Sequence, residues 1–327
     1  MIPFGMPAQD APSYPDSIPA ATPTAAETAA ARQGFLAAGV VVVCWSGFNI
    51  VSRIGGRSVL TPFDLAALRF MVAGVLLSPL FIASLRSGHT LHWTRRALLA
   101  LSGGLGYALF AYVGFSLAPA AHAGVLVNGG IPLATTLIGW LAFGLQPTRR
   151  AWMALAIAAL GIVLIGHHGF QLRDAAGTLR GDLCYLLAAC CWGLYGQLIR
   201  RWQIPPLTAA ANVAVCSAVL YLPVYGLWLP KGLALATHAQ ILLQAGYQGI
   251  VAGVIAAIGY TFATLRIGPT RASLMLALVP PISAVAAVPL LGETLTAEIL
   301  AGALLVTCGA LIGASGGTGI RRAPGSR

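Results

Sequence analysis

Ten apolar runs, each about as long as one bilayer-crossing helix, account for most of this chain. They occupy residues 34–53, 63–84, 97–117, 121–144, 151–168, 181–199, 207–229, 240–264, 270–291 and 296–315. A helix needs about 20 apolar residues to cross the ~30 Å hydrocarbon layer. Membrane-spanning barrels are written as short alternating segments, which these unbroken runs are not. Only 8 % of the 327 residues are charged, against about 25 % in soluble domains. Such a chain cannot cover a water-facing surface, and the sequence predicts an all-α integral membrane protein of ten transmembrane helices embedded in a lipid bilayer.

The runs fall into two sets of five. Residues 44–53 read CWSGFNIVSR, and residues 191–200 read CWGLYGQLIR, an offset of 147. Further on, Tyr112 falls on Tyr260, Pro132 on Pro280, Gly144 on Gly292 and Gly161 on Gly309 at an offset of 148. So constant a spacing marks an internal duplication. Because five is odd, the second copy enters the membrane from the opposite face, which predicts two inverted five-helix repeats around a central cavity, as in secondary transporters. The expected organisation is a disordered N-terminal tail over 1–33, repeats over 34–168 and 179–315, and a C-terminal tail over 316–327. The longest connector, HHGFQLRDAAGTLRGD at 167–182, divides the halves.

With the N-terminus placed inside, thirteen arginines lie in cytoplasmic segments, and five basic residues (Arg53, Arg57, Arg173, Arg180, Lys231) lie outside. Positive charge favours the cytoplasmic side, so both termini are expected there, in a plasma (bacterial inner) membrane. The formal net charge of +11 is scattered over run ends. A nucleic-acid binder concentrates it in a stripe or patch, so no nucleic-acid partner is expected. The six cysteines, Cys44, Cys184, Cys190, Cys191, Cys216 and Cys308, all sit inside apolar runs without metal-ligand spacing. Neither a metal nor a cofactor is expected.

An intramembrane enzyme is disfavoured. GASG at 313–316 offers Ser315 near the end of the last run, but no histidine follows it, and His122 and His238 are distant in sequence. Gly309, Gly313 and Gly317 repeat a GxxxG spacing that lets helices approach closely. Packing within a monomer is favoured over dimerisation.

CWSGFNIVSR leads into TPFDLAALRFMVAG, with Pro62 and Arg69. The chain closes on LRIGPTRASLMLALVPPISAVAAVPLLGETLTAEILAGALLVTCGALIG, with Pro280, Gly292-Glu293 and Gly302. In these stretches the sequence resembles the EamA branch of the drug/metabolite transporter superfamily, over residues 34–315. The resemblance implies a ten-helix bundle around a central cavity that alternates between inward- and outward-open states. It also implies export of small metabolites, loosely of the amino-acid type, with nucleotide-sugar or multidrug transport as alternatives. The first half departs from the pattern by placing Leu145 where the second has Glu293, which makes a one-sided cap or loop contact an alternative role for that glutamate.

Polar groups inside hydrocarbon usually face the bundle interior, which nominates the substrate-binding residues. Trp45 and Asn49 share a face of the first span, and Trp192, Tyr195 and Gln197 lie on the sixth. Tyr107 and Tyr112 lie on the third span, Asn128 on the fourth, and Gln248 and Tyr260 on the eighth. Inverted symmetry would set Trp45 against Trp192 and Tyr112 against Tyr260, in a cavity suited to a small zwitterionic or neutral solute. Tryptophan and tyrosine also populate interfacial belts, and Asn128 and Gln248 could equally tie neighbouring helices together. Arg69, on the second span, can clasp a carboxylate in bidentate fashion, snorkel to the interface, or pair with Asp64. No carboxylate falls mid-span, which leaves facilitated diffusion, exchange or coupling through another group. His122, between spans three and four, titrates near neutral pH, although a lone histidine at a loop edge is usually passive.

Overall fold

The computed structural model describes residues 25–86, 91–171, 174–314 and 320–322. Ten helical stretches run through it. They are α1 (Ala25–Gly56), α2 (Pro62–Arg86), α3 (Trp93–Leu117), α4 (Ala120–Phe143), α5 (Arg149–Gln171), α6 (Ala175–Trp202) and α7 (Pro206–Trp228), followed by α8, α9 (Val279–Leu291) and α10 (Ala297–Ala314). α8 is built of His238–Gln244, Ala245–Ile255 and Ala256–Leu276 in succession. Among the described residues, nine segments are long and apolar enough to cross a membrane, and Ala297–Gly313 is a shorter apolar helix.

The helices pack as a repeating set of neighbours. α1 lies against α8 and α9, while α6 lies against α3 and α4. α2 packs on α7, α5 on α10 and α4 on α9. Exchanging each helix for the one five places along returns the same list. Local detail repeats too. α3 and α8 each contain a π-helical stretch, Ala100–Gly106 and Ala245–Ile255. α4 and α9 both end on a glycine in the left-handed region, Gly144 at φ 66° and Gly292 at φ 65°. Only glycine adopts that conformation without steric cost, which accounts for its place at both caps.

Small residues set the closest approaches. A Cβ on Gly161 of α5 would stand 2.7 Å from the Gly302 carbonyl of α10, and one on Gly309 would stand 2.8 Å from the Ala154 carbonyl. The GxxxG glycines Gly309 and Gly313 thus pack within the chain, against Ala154. Ser315 and Gly317 lie outside the described residues.

Four expectations shift. Residues 25–33, assigned to the tail, begin α1, because AAETAAAR is rich in strong helix formers; residues 1–24 lie outside the described part. Most of the expected connector at 167–182 is helix: α5 continues to Gln171, and Asp174 caps α6 by accepting from the Gly177 amide at 3.0 Å. In the first half, α3 and α4 part at Ala118–Pro119. In the second half, helix continues to Leu276 and breaks at Ala277–Leu278, where Thr307 donates to the freed Ala277 carbonyl at 2.8 Å. Finally, part of the expected C-terminal tail, Ile320–Arg322 (β2), pairs antiparallel with Leu145–Pro147 (β1), Gln146 opposite Arg321.

Candidate functional site

The middle of the bundle holds two aromatic clusters, each joining the halves. Trp45 of α1 faces Tyr260 of α8, with ring centroids 5.8 Å apart. Trp192 of α6 lies 4.7 Å from Tyr107 of α3 and 5.1 Å from Tyr195. Each tryptophan therefore meets a tyrosine from the opposite half. This corrects the expected pairing of Trp45 with Trp192 and of Tyr112 with Tyr260, because the helices that pack closely are α1 with α8 and α6 with α3. Gly103 in the π stretch of α3 makes room for this arrangement. A Cβ there would lie 2.5 Å from the Tyr195 ring.

Arg69 reaches inward from α2. Its guanidinium carbon stands 5.5 Å from the Phe48 ring centroid and 5.9 Å from that of Tyr107, and it approaches Tyr112. Among the described residues, no carboxylate lies within ion-pair distance of it. Asp64, the partner the sequence offered, is engaged elsewhere. It accepts from the Thr61 amide and hydroxyl, the Gly232 amide and the Tyr225 hydroxyl, tying the start of α2 to the α7–α8 connection. Arg69 remains only half-buried although ringed by aromatic side chains. The result is a cation held by the Tyr112 side chain between the rings of Phe48 and Tyr107.

Around these rings runs a set of amide contacts. Asn49 Nδ2 donates to Ser283 Oγ at 2.9 Å, and Gln197 Nε2 donates to the Thr135 carbonyl at 2.6 Å. Tyr112, fully buried, donates to Gln248 Oε1 at 3.1 Å. Gln248 Nε2 in turn reaches Ser52 Oγ and Gln244 Oε1, and Gln244 Nε2 ends on the Val51 carbonyl. Asn49, Gln197, Tyr112 and Gln248 are thus spent on holding helices together. Asn128 is half-buried on α4 and belongs to neither aromatic cluster. The half-buried side chains in contact are Trp45 with Tyr260, Arg69 with Tyr107, and Tyr107 with Trp192.

One end of the bundle is sealed by charge. Glu293, just past the α9 cap, accepts from the backbone amides of Ala120 and Ala121 at the start of α4. The helix-start dipole favours an anion there. Glu293 also accepts from Arg53 Nε at 3.2 Å and Arg57 Nη2 at 3.3 Å, and Arg53 Nη1 donates to the Phe115 carbonyl at 2.6 Å. Cap and loop contact are therefore both its role. Close by, Tyr185 donates to the Ala118 carbonyl, and His122 Nδ1 meets Asp182 Oδ1 at 2.8 Å. Sequence reasoning placed His122 at a loop edge, whereas it is fully buried. Phe48, Ser52, Gln244 and Ser283 were missed as well. The Gln244–Gln248 spacing, two amides four apart in an apolar run, was the available signal.

No group of three or more histidine, cysteine or acidic side chains is arranged to hold a metal among the described residues. What the arrangement offers is a set of aromatic rings and amides with Arg69 among them, and an ion-paired Glu293 at one end of the bundle. The chain as a whole is similar to known proteins. A family model described as the EamA-like transporter family matches residues 32–166 and again 179–314. An Escherichia coli protein named "Uncharacterized inner membrane transporter YedA" is 25 % identical over 259 residues, 78 % of this chain and 81 % of that one. A Salmonella typhimurium protein named "Probable amino-acid metabolite efflux pump" is 28 % identical over 300 residues, 87 % of this chain and 95 % of that one. A solved crystal structure superposes with a TM-score of 0.56 at 21 % identity, covering 87 % of this chain and 96 % of its own, and shares the fold. A chain matched twice over by one transporter model, once in each set of five helices, is a multi-pass bacterial inner-membrane transporter of the EamA-like family.

Proposed function

We propose that this transporter exports small zwitterionic or neutral metabolites, with neutral amino acids the foremost class, by alternating access between two inverted five-helix repeats. The observation that carries the substrate class is Arg69, a guanidinium with no carboxylate partner among the described residues, set between Phe48 and Tyr107, with Trp192 on the far side of Tyr107. A guanidinium binds one carboxylate through two parallel hydrogen bonds, and aromatic faces attract an ammonium group by cation–π interaction. A single cation suits a solute with one carboxylate better than a multiply charged nucleotide. The relative named as an amino-acid metabolite efflux pump lends support to the same class.

The repeat geometry is supported by the self-matching list of helix neighbours and by the paired caps at Gly144 and Gly292. The distribution of arginines supports cytoplasmic termini, which puts the Glu293 end on the outer face in a monomeric carrier. The test is counterflow in protein-containing liposomes preloaded with a panel of neutral amino acids. Saturable exchange of at least one of them is expected. Exchange of none, together with exchange of a nucleotide sugar, would move the protein to that alternative.

A further inference from the structure

His122, Asp182 and His168 form a buried titratable cluster separate from the aromatic site. His122 lies in the first turn of α4, Asp182 in the second turn of α6 and His168 in the last turn of α5. They are 0 %, 5 % and 6 % exposed. His122 Nδ1 stands 2.8 Å from Asp182 Oδ1, and the two imidazole rings meet edge to face with centroids 5.4 Å apart. Within this cluster His122 Nε2, His168 Nδ1 and Asp182 Oδ2 are all buried without a hydrogen-bond partner among the described residues. Leaving one such atom unpaired costs about 1–3 kcal/mol, so three together mark a place where something binds or hydration changes.

The charge of the cluster depends on one proton. With both imidazoles neutral it is a lone buried carboxylate. With one proton added it becomes a net-neutral imidazolium–carboxylate pair, and a buried pair is far cheaper than an unpaired buried charge. The charged and titratable neighbours are His167 on α5, Cys184 and Tyr185 on α6, Arg53 on α1, Glu293 on the α9–α10 connection and Glu298 on α10. Arg53 and Glu293 cancel as an ion pair; Arg57, which also contacts Glu293, is itself half-exposed. The cluster ties α4 to α6 at the end where Glu293 ties α4 to the α9–α10 connection.

We propose that this cluster is a proton-binding site that links closure of the Glu293 end to the pH of the solution on that side. One proton, taken from that solution and shared between His122 and Asp182, holds the end shut. Opening hydrates the carboxylate and returns the proton to the same solution. The inference rests on the alternating-access reading, yet its test needs no transported solute.

Imidazole C2–hydrogen exchange, read by mass spectrometry on the unmutated full chain in lipid nanodiscs, reports each histidine separately. The His122 exchange rate is expected to change with pH, since histidine is the side chain that gains and loses a proton near physiological pH. A flat His122 curve overturns the proposal. Closure is read by labelling of Ser283→Cys, one turn of α1 deeper than Arg53 through its Asn49 contact, with an impermeant maleimide and the parent chain as blank. Adding His122→Gln leaves thiol ionisation unchanged, so the ratio of the two labelling rates isolates the cluster. That ratio is expected near unity at pH 8 and about tenfold higher at pH 6, a change equal to one pKa unit. The same ratio at both pH values overturns the proposal. Asp182→Asn serves if His122→Gln fails to fold, and the exchange curve decides if neither folds. Solute exchange in liposomes with a flat His122 curve defeats only this inference; a titrating His122 without any solute exchange defeats only the transport reading.

Discussion

Asn49 of α1 donates its side-chain amide to Ser283 of α9 at 2.9 Å, across 234 positions of sequence. Both residues have counterparts 148 positions away, Gln197 on α6 and Thr135 on α4, and these are also joined by an amide hydrogen bond. Two side chains and their two counterparts thus draw equivalent pairs of helices together across the two halves. The acceptor differs: a hydroxyl in the first case, a backbone carbonyl in the second. That difference is testable.

A double-mutant cycle on Asn49→Ala and Ser283→Ala is expected to give a coupling of about 0.6 kcal/mol, the average for interhelical hydrogen bonds in membranes. The matching cycle on Gln197→Ala and Thr135→Ala should give almost none, since Gln197 bonds the main chain and Thr135→Ala leaves its acceptor in place. Unfolding in a lipid-like micelle supplies the four stabilities. Equal coupling in both cycles contradicts the assigned acceptors.

Glu293→Gln removes one charge from a buried cluster and leaves Arg53, itself 8 % exposed, without its counter-ion. Breaking a buried pair from one side costs about 3–5 kcal/mol. A clear drop in melting temperature is therefore expected, while Glu298→Gln, on the same stretch but outside the cluster, should change little. A Glu293→Gln protein as stable as the parent removes the seal.

Arg69→Lys keeps the charge but loses the flat fork that grips a carboxylate. Hydrogen bonds to charged groups are worth about 1.5–3 kcal/mol, so exchange of an amino acid should fall roughly tenfold or more while the variant still elutes as folded protein. Trp192→Ala and Trp45→Ala should also reduce exchange, Trp192→Ala more, because its ring packs at a tilt against Tyr107, the ring that Arg69 approaches. Undiminished exchange in all three places the solute elsewhere.

Gly161→Leu drives a side chain into the Gly302 backbone, and overpacking of this kind typically costs about 1–3 kcal/mol. Lower thermal stability at unchanged oligomeric size is the expected result of a glycine contact used within the chain. A change of size with unchanged stability would give the α10 glycines to a dimer interface.

Much of this was legible in the sequence because hydrocarbon imposes simple rules. Unbroken apolar runs became helices, and the matched glycines at 144 and 292 became matched caps. Boundaries were less legible. The polar letters of 167–182 suggested a long connector, yet Asp182 and His168 sit in helix because each found a partner or a packed wall inside the bundle. The ring contacts of the aromatic shortlist were not legible, since periodicity names the face of a helix and not the helix it meets. The sequence put Asp64 and Glu293 at or near loops; their burial and backbone-amide partners, which no single-sequence pattern reports, made them anchors.

Position 145 is leucine where position 293 is glutamate. Two separate five-helix chains assembling with themselves would have to carry the same residue at both mouths, and each would latch or neither would. Fusion into one polypeptide lifts that obligation. Here a single carboxylate fastens α1 and α4 to the α9–α10 connection, and the corresponding place in the other half goes without one, an asymmetry that two identical chains could not carry.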